Sequence, residues 1–155
     1  MFFLRALLAF LALPTVVALI VPLFLLPEDR WRLGGTIAGW PVLALGILLL
    51  LICVRDFYIT GKGTLAPWDP PKRLVTGGPY RFARNPMYGA VAGIVAGWGL
   101  ISGSILLGAY SVFLVFGFHL RVVCYEEPKL ALLFPTEWKQ YSSRVNRWLP
   151  RKSAH

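Results

Sequence analysis

A chain of 155 residues that is 57% hydrophobic and only 15% charged, with a mean hydropathy of +0.63, lies outside the composition of an ordinary soluble domain. Its 16 Lys and Arg against 7 Asp and Glu leave a formal charge of +9. These cations flank apolar stretches, which speaks against nucleic acid as the partner and for anionic headgroups and positive-inside orientation. Cys53 and Cys124 have neither pairing nor ligand-like spacing, so no disulfide framework and no metal site is suggested.

In chain order, Ala6 to Leu26 carries no charge and, at about 1.5 Å per residue, covers roughly the 30 Å hydrocarbon core. It reads as a retained transmembrane helix, longer than a signal-peptide apolar region and without a small-x-small cleavage pattern, with Pro14 and Pro22 as kinks. Pro27 to Arg32 is a polar connection containing Trp31, and Gly34 to Val54 is a second span-length run, so the first two helices are expected to form a hairpin. Arg55 and Asp56 mark the return to water. The loop Gly61 to Arg73 holds too many Gly and Pro for a helix and reads as a connector or lid, with Leu74-Val75-Thr76 as a brief extended piece.

The Gly77-Gly78-Pro79 turn then leads to Pro86, well placed as the first residue of the next helix. Met87 to Leu120 has no charge besides neutral His119, but as one helix it would be about 50 Å long. It has to break. Ser102-Gly103-Ser104 is the natural tip, giving a third helix over Met87–Ile101 and a fourth over Ile105–Val123. Gly89, Gly93 and Gly97 form a small-xxx-small stripe expected to bring a neighbouring helix close. Beyond Glu126-Glu127, the residues Leu130, Leu133 and Phe134 share a face, and Pro135 interrupts it. Thr136 is the expected N-cap of a last amphipathic helix, with Trp138, Tyr141 and Val145 on one side and Lys139 and Arg144 toward headgroups.

The cations check this order. Arg5 stands alone, Arg30 and Arg32 share a loop with Glu28 and Asp29, and the rest fall in two blocks, Arg55 to Arg84 and Arg121 to Lys152. An even number of spans between those blocks puts both on one side. The expectation is an all-α polytopic membrane bundle of one domain, residues 1–155. It has an N-terminal hairpin over 1–56, a motif region over 57–155, about four spans, a C-terminal amphipathic helix, and both termini in the cytoplasm. The polar stretch Gly77 to Tyr88 and the pair Glu126-Glu127 would then face each other across the second hairpin as one site at the water–lipid boundary.

Several short motifs recur there in order: Leu74-Val75, Gly77-Gly78-Pro79-Tyr80, Arg84-Asn85-Pro86-Met87-Tyr88-Gly89, Glu126-Glu127-Pro128-Lys129-Leu130, Phe134-Pro135-Thr136-Glu137-Trp138 and Arg144-Val145-Asn146-Arg147-Trp148. Over roughly 61–151 this pattern resembles the isoprenylcysteine carboxyl methyltransferase and phospholipid methyltransferase superfamily of integral-membrane enzymes. The resemblance implies a cytosolic pocket for S-adenosylmethionine with a lipid-facing opening. It puts Leu74, Val75 and Tyr80 ahead of the Arg-His-Pro-x-Tyr element, which is Arg84, Asn85, Pro86, Met87 and Tyr88 here, and puts Glu126, beside Glu127, on the cofactor glutamate. Asn85 departs from the commoner histidine and cannot titrate near neutrality. Asn146 replaces the usual proline.

Methyl transfer from a sulfonium needs alignment in a water-poor pocket more than a covalent nucleophile. Tyr80 and Tyr88 offer aromatic faces, or else form an interfacial belt. Glu126 offers an acceptor to ribose hydroxyls or the amino group, and an acidic pair at the foot of an apolar helix is expensive unless satisfied. Arg121 is a candidate for orienting a substrate carboxylate, against a plain positive-inside anchor. His119 is a candidate base for an amine nucleophile, against a hydrogen-bonded bundle histidine. Trp138 and Tyr141 read as closing the pocket. The acceptor is expected to be amphiphilic, with carboxylate, thiol and amine all open. The alternatives are a sterol-reductase-type membrane enzyme using NADPH and a non-enzymatic scaffold whose glycines associate helices.

Overall fold

The computed structural model describes residues 15–28, 33–61 and 72–150, and every regular element in them is helical. Pro14, Arg5, the Trp31 connection, most of the Gly61–Arg73 connector and Arg151 lie outside the described residues. Helix α1 opens with a π turn, Val16–Ile20, and continues as Val21–Glu28. Helix α2 covers Gly39–Asp56 and is prolonged by a π turn, Phe57–Gly61. A 3₁₀ turn, Gly78–Arg81, precedes α3, Pro86–Ser102. Helix α4 is one rod built of Ile105–Arg121, a π turn Val122–Glu126, and Glu127–Leu133. Helix α5 is Pro135–Arg144.

Two of these helices are long and apolar enough to cross a membrane, α2 with its extension at 23 residues and α4 at 29, while α3 and the described part of α1 are shorter apolar helices. Only 17% of each long apolar window is buried inside the molecule, and Leu48, Leu51, Phe113 and Phe116 point outward. An outward apolar surface of this kind suits lipid, not water.

Local chemistry explains the elements. Pro22 has no N–H to give Ala18, and the turn before it widens so that Val21 N–H bonds Val16 O. Pro86 starts α3, where its missing N–H costs nothing. Gly103 ends α3 in the left-handed region at φ 66°, and the Ser104 side chain accepts from Leu107 N at 3.1 Å to start α4. The expected tip is therefore in place.

Three expectations are corrected. The fourth helix does not stop near Val123: the π turn absorbs the register change, and Pro128 falls in the first turn after it, where a missing N–H is tolerated. The expected interruption is there, since α4 ends at Leu133, but α5 starts at Pro135 with Phe134 as its cap residue, so Thr136 lies inside the helix and not at its cap. The glycine stripe is also out of phase. A Cβ on Gly97 would meet the Leu43 backbone at 2.7 Å, whereas one on Gly89 or Gly93 would meet no described residue within 4 Å. The close approach of α2 to α3 is made by Gly39, Gly46 and Gly97, with Ala90 and Ile94 opposite Gly46.

Helix α3 is thus the centre of the bundle. One face takes α2, another takes α4 through a Ser111 hydroxyl donating to Ala92 O at 3.0 Å, and Val17 of α1 accepts from the Tyr110 hydroxyl of α4 at 3.2 Å. Ala18, Leu50, Ala90, Val91, Ile94, Val95 and Leu114 form the joint core. At one end, Leu33 N donates to Gly103 O and Thr36 N to Leu100 O, both at 2.8 Å, so the segment before α2 is tied to the α3–α4 tip. The polar motifs gather at the other end.

Candidate functional site

The approach to α3 is held by the end of α2. Gly78, at φ 54°, leaves no room for a side chain because a Cβ there would sit 1.9 Å from the Asp56 carboxylate. Val75 and Tyr80 then pack on the fully buried Cys53. The Tyr80 carbonyl accepts from the Tyr141 hydroxyl at 2.6 Å, which ties α5 to the same turn. Burial raises the Tyr80 phenol well above its ordinary value and pushes Tyr141 up to about 12. Leu74 is half-buried beside this group, Pro86 is buried, and Met87 touches both it and the main core. Of the predicted site residues, Leu74, Val75 and Tyr80 therefore form an apolar footing, with the Tyr80 ring enclosed.

The charged residues divide into two clusters. The Tyr88 hydroxyl donates to Glu126, and Arg121 Nε donates to the same carboxylate at 2.8 Å and to the Tyr88 oxygen at 3.1 Å. Phe118 covers the Tyr88 ring at 4.5 Å between centroids. Glu127 faces elsewhere: Arg147 grips it in bidentate fashion at 2.9 and 2.7 Å, and Arg84 reaches it at 3.1 Å. Consecutive helical residues do not share a face, and the π turn ending at Glu126 fixes which direction each carboxylate takes. Hydrogen bonding to Glu127 holds the Arg147 guanidinium above its ordinary value.

The C-terminal segment closes this end. Arg84 N donates to Asn146 O at 2.9 Å and the Asn85 side chain to Arg147 O at 3.3 Å, so Asn85 is a strut between α3 and the closing segment. Arg84 lies over the Trp138 ring at 5.3 Å, and its buried Nε has no hydrogen-bond partner among the described residues. Trp148 Nε1 donates to His119 Nδ1 at 3.1 Å. Tyr88, Arg121 and Glu126 are thus brought together, as are Arg84, Asn85 and Glu127, while His119 stands apart with Trp148.

Arg147 and Trp148 are the functional-end residues that pattern reading passed over, having assigned that segment to the interface. A general signal was present, since two glutamates at the foot of an apolar helix require cations, but four other cations lie nearer to them in sequence than Arg147. A family model described as phospholipid methyltransferase matches residues 35–137, about two thirds of the chain. The matched stretch contains Arg84, Tyr88, Arg121, Glu126 and Glu127. No curated protein and no solved structure gives a match.

Proposed function

The chain belongs to the phospholipid methyltransferase family, and on that footing we propose that it is an S-adenosylmethionine-dependent methyltransferase acting on an amphiphilic acceptor from the cytoplasmic face. The observation that carries this reading is the Tyr88–Glu126–Arg121 cluster at the foot of two apolar rods. A bundle built only for helix association has no use for a buried phenol, a carboxylate and a guanidinium drawn from positions 33 and 38 residues apart. The positive-inside bias supports four spans with both termini inside, since the described basic residues between Lys72 and Arg84 and between Arg121 and Arg147 lie away from the Leu33–Gly103 tie.

The residues suit this cofactor. Bound S-adenosylmethionine supplies an electrophilic methyl group on a sulfonium. Arg84, with a buried unpartnered Nε, suits a carboxylate. Glu126 keeps a second oxygen for hydroxyl or ammonium donors, and Tyr88 presents an electron-rich ring toward positive charge. Glu127 holds Arg84 and Arg147 in place, so the site is arranged before any ligand enters. The acceptor's nucleophilic atom, whether carboxylate oxygen, sulfur or nitrogen, then needs only to be brought in line from the lipid side.

Calorimetric titration of the detergent-purified protein with S-adenosylmethionine, S-adenosylhomocysteine and NADPH tests the reading. Saturable binding of the first two, weakened at least about tenfold in Glu126→Gln by loss of a charge-assisted contact, is the expected result. Binding of NADPH alone would move the protein to the reductases, and binding of none would overturn the cofactor assignment.

A further inference from the structure

His119 has a free ring nitrogen whose protonation is decided by Trp148. An indole N–H can only donate, so His119 Nδ1, which lies 3.1 Å from it, has to be the accepting nitrogen. The neutral ring then carries its proton on Nε2. No described residue accepts from that nitrogen, and the ring is only half-buried. One nitrogen already bears a proton, and the lone pair of the other is taken by Trp148.

The surroundings say what the free donor meets. His119 and the Tyr88 partner Phe118 are neighbours on α4, which places the imidazole at the level of the charged end of the hairpin. The two ion-pair clusters there hold three guanidinium groups, Arg84, Arg121 and Arg147, against two carboxylates, Glu126 and Glu127, an excess of positive charge that favours an anionic visitor. Trp148 itself is anchored, because the segment before it is tied to Arg84 N and the Asn85 side chain.

We propose that His119, held by Trp148 as the Nε2–H tautomer, is a hydrogen-bond donor to an anionic oxygen in the head of the amphiphilic acceptor, a carboxylate or a phosphate. Trp148 is the positioning residue for this contact. The inference rests on the methyltransferase reading for the word acceptor, but its test does not need turnover.

The test is nitrogen NMR of the ¹⁵N-histidine-labelled full chain in dodecylmaltoside micelles, with His119→Gln identifying the resonances. The expected spectrum shows an unprotonated Nδ1 and a protonated Nε2, and Trp148→Phe restores a mixture of tautomers. Addition of dodecyl phosphate or dodecanoate shifts the Nε2 resonance and dodecanol does not; whichever anion acts names the source of the oxygen. A protonated Nδ1 in the unmodified protein, or no shift with either anion, would overturn the proposal. On any acceptor that turns over, His119→Phe raises KM about tenfold with kcat little changed, the size expected for one hydrogen bond to a charged group. His119→Gln, whose amide N–H replaces Nε2–H, stays within about threefold of the unmodified protein. Loss of kcat to the same extent in both variants would show a base instead. If nothing is methylated but the resonance responds, the methyltransferase reading fails and the anion site stands.

Discussion

The two ends of the α3–α4 hairpin are closed by opposite means. At the Ser102–Ser104 tip, closure is made largely of backbone: a left-handed Gly103, a Ser104 cap, and the Leu33 and Thr36 amides bonded to carbonyls of the tip. At the other end, closure is made by long side chains from distant parts of the sequence, with carboxylates and guanidinium groups facing one another. The tip would hold two helices together in any membrane protein. The charged end is costly to keep near lipid, and a fold that only needed a bundle could omit it.

The contrast breaks most visibly at the tip. Gly103→Val forces a β-branched residue to φ 66° and aims a Cβ at Leu33 O, 1.7 Å away. A loss of at least about 3 kcal/mol is expected, from left-handed strain plus the displaced Leu33 strand of chain. Denaturation in detergent measures it. Cofactor affinity of the protein that remains folded should stay within about twofold, since the charged end is untouched.

At that charged end, Glu127→Gln leaves Arg84 and Arg147 facing one amide. Glu127 and Arg84 have side chains only 14% and 12% exposed, so the stranded charges are poorly solvated, and roughly 2–3 kcal/mol should be lost. On the proposed reading, and unlike the tip substitution, this one should also weaken S-adenosylmethionine binding, because Arg84 loses the group that orients it. Calorimetry on the two variants side by side separates an end that only stabilises from one that also binds.

The tip was far more legible in the sequence than the charged end. Ser102-Gly103-Ser104 and Pro86 act through their own backbone preferences, so they can be read without knowing any neighbour. The polar motifs could be read as facing each other across the hairpin, yet Glu126 and Glu127 could not be assigned partners. Their directions depend on a π turn that adds a residue to the register, and a 3.6-residue period does not show it. The Gly89–Gly93–Gly97 stripe failed for a related reason. Spacing tells which residues share a face, but the face that meets α2 is chosen by Gly39 and Gly46, which bring Ala90, Ile94 and Gly97 inward. Arg147 and Trp148 were invisible as partners because their contacts span 20 and 29 residues of chain.

The α5 contact gives a pH-dependent version of the same contrast. Tyr141→Phe removes the hydrogen bond to Tyr80 O and should cost about 1 kcal/mol at neutral pH. The folded state raises the Tyr141 phenol from 10.0 to about 12, so it prefers the protonated form. Its contribution is complete below pH 10 and is lost as pH rises toward 12, because burial disfavours the phenolate in the folded state. Unfolding measured across that window should show the decline, and Tyr141→Phe should flatten it, leaving the part due to Tyr80, whose phenol is raised as well.

The smallest effect expected is Gly93→Ala, and its sign is what matters. Glycine inside a helix is less favourable than alanine by up to about 1 kcal/mol, because the unfolded chain has more freedom to lose. That gain is realised only where the added methyl meets nothing, and a Cβ on Gly93 would meet none of the described residues within 4 Å. Gly93→Ala should therefore stabilise the protein slightly, while Gly97→Ala, whose Cβ would press on Leu43 N and Cα at 2.7 and 2.8 Å, should destabilise it. Two glycines one turn apart would respond oppositely to the same substitution. Equal losses at both would mean that a neighbour covers the Gly89–Gly93 face in the membrane, and that the stripe is an interface after all.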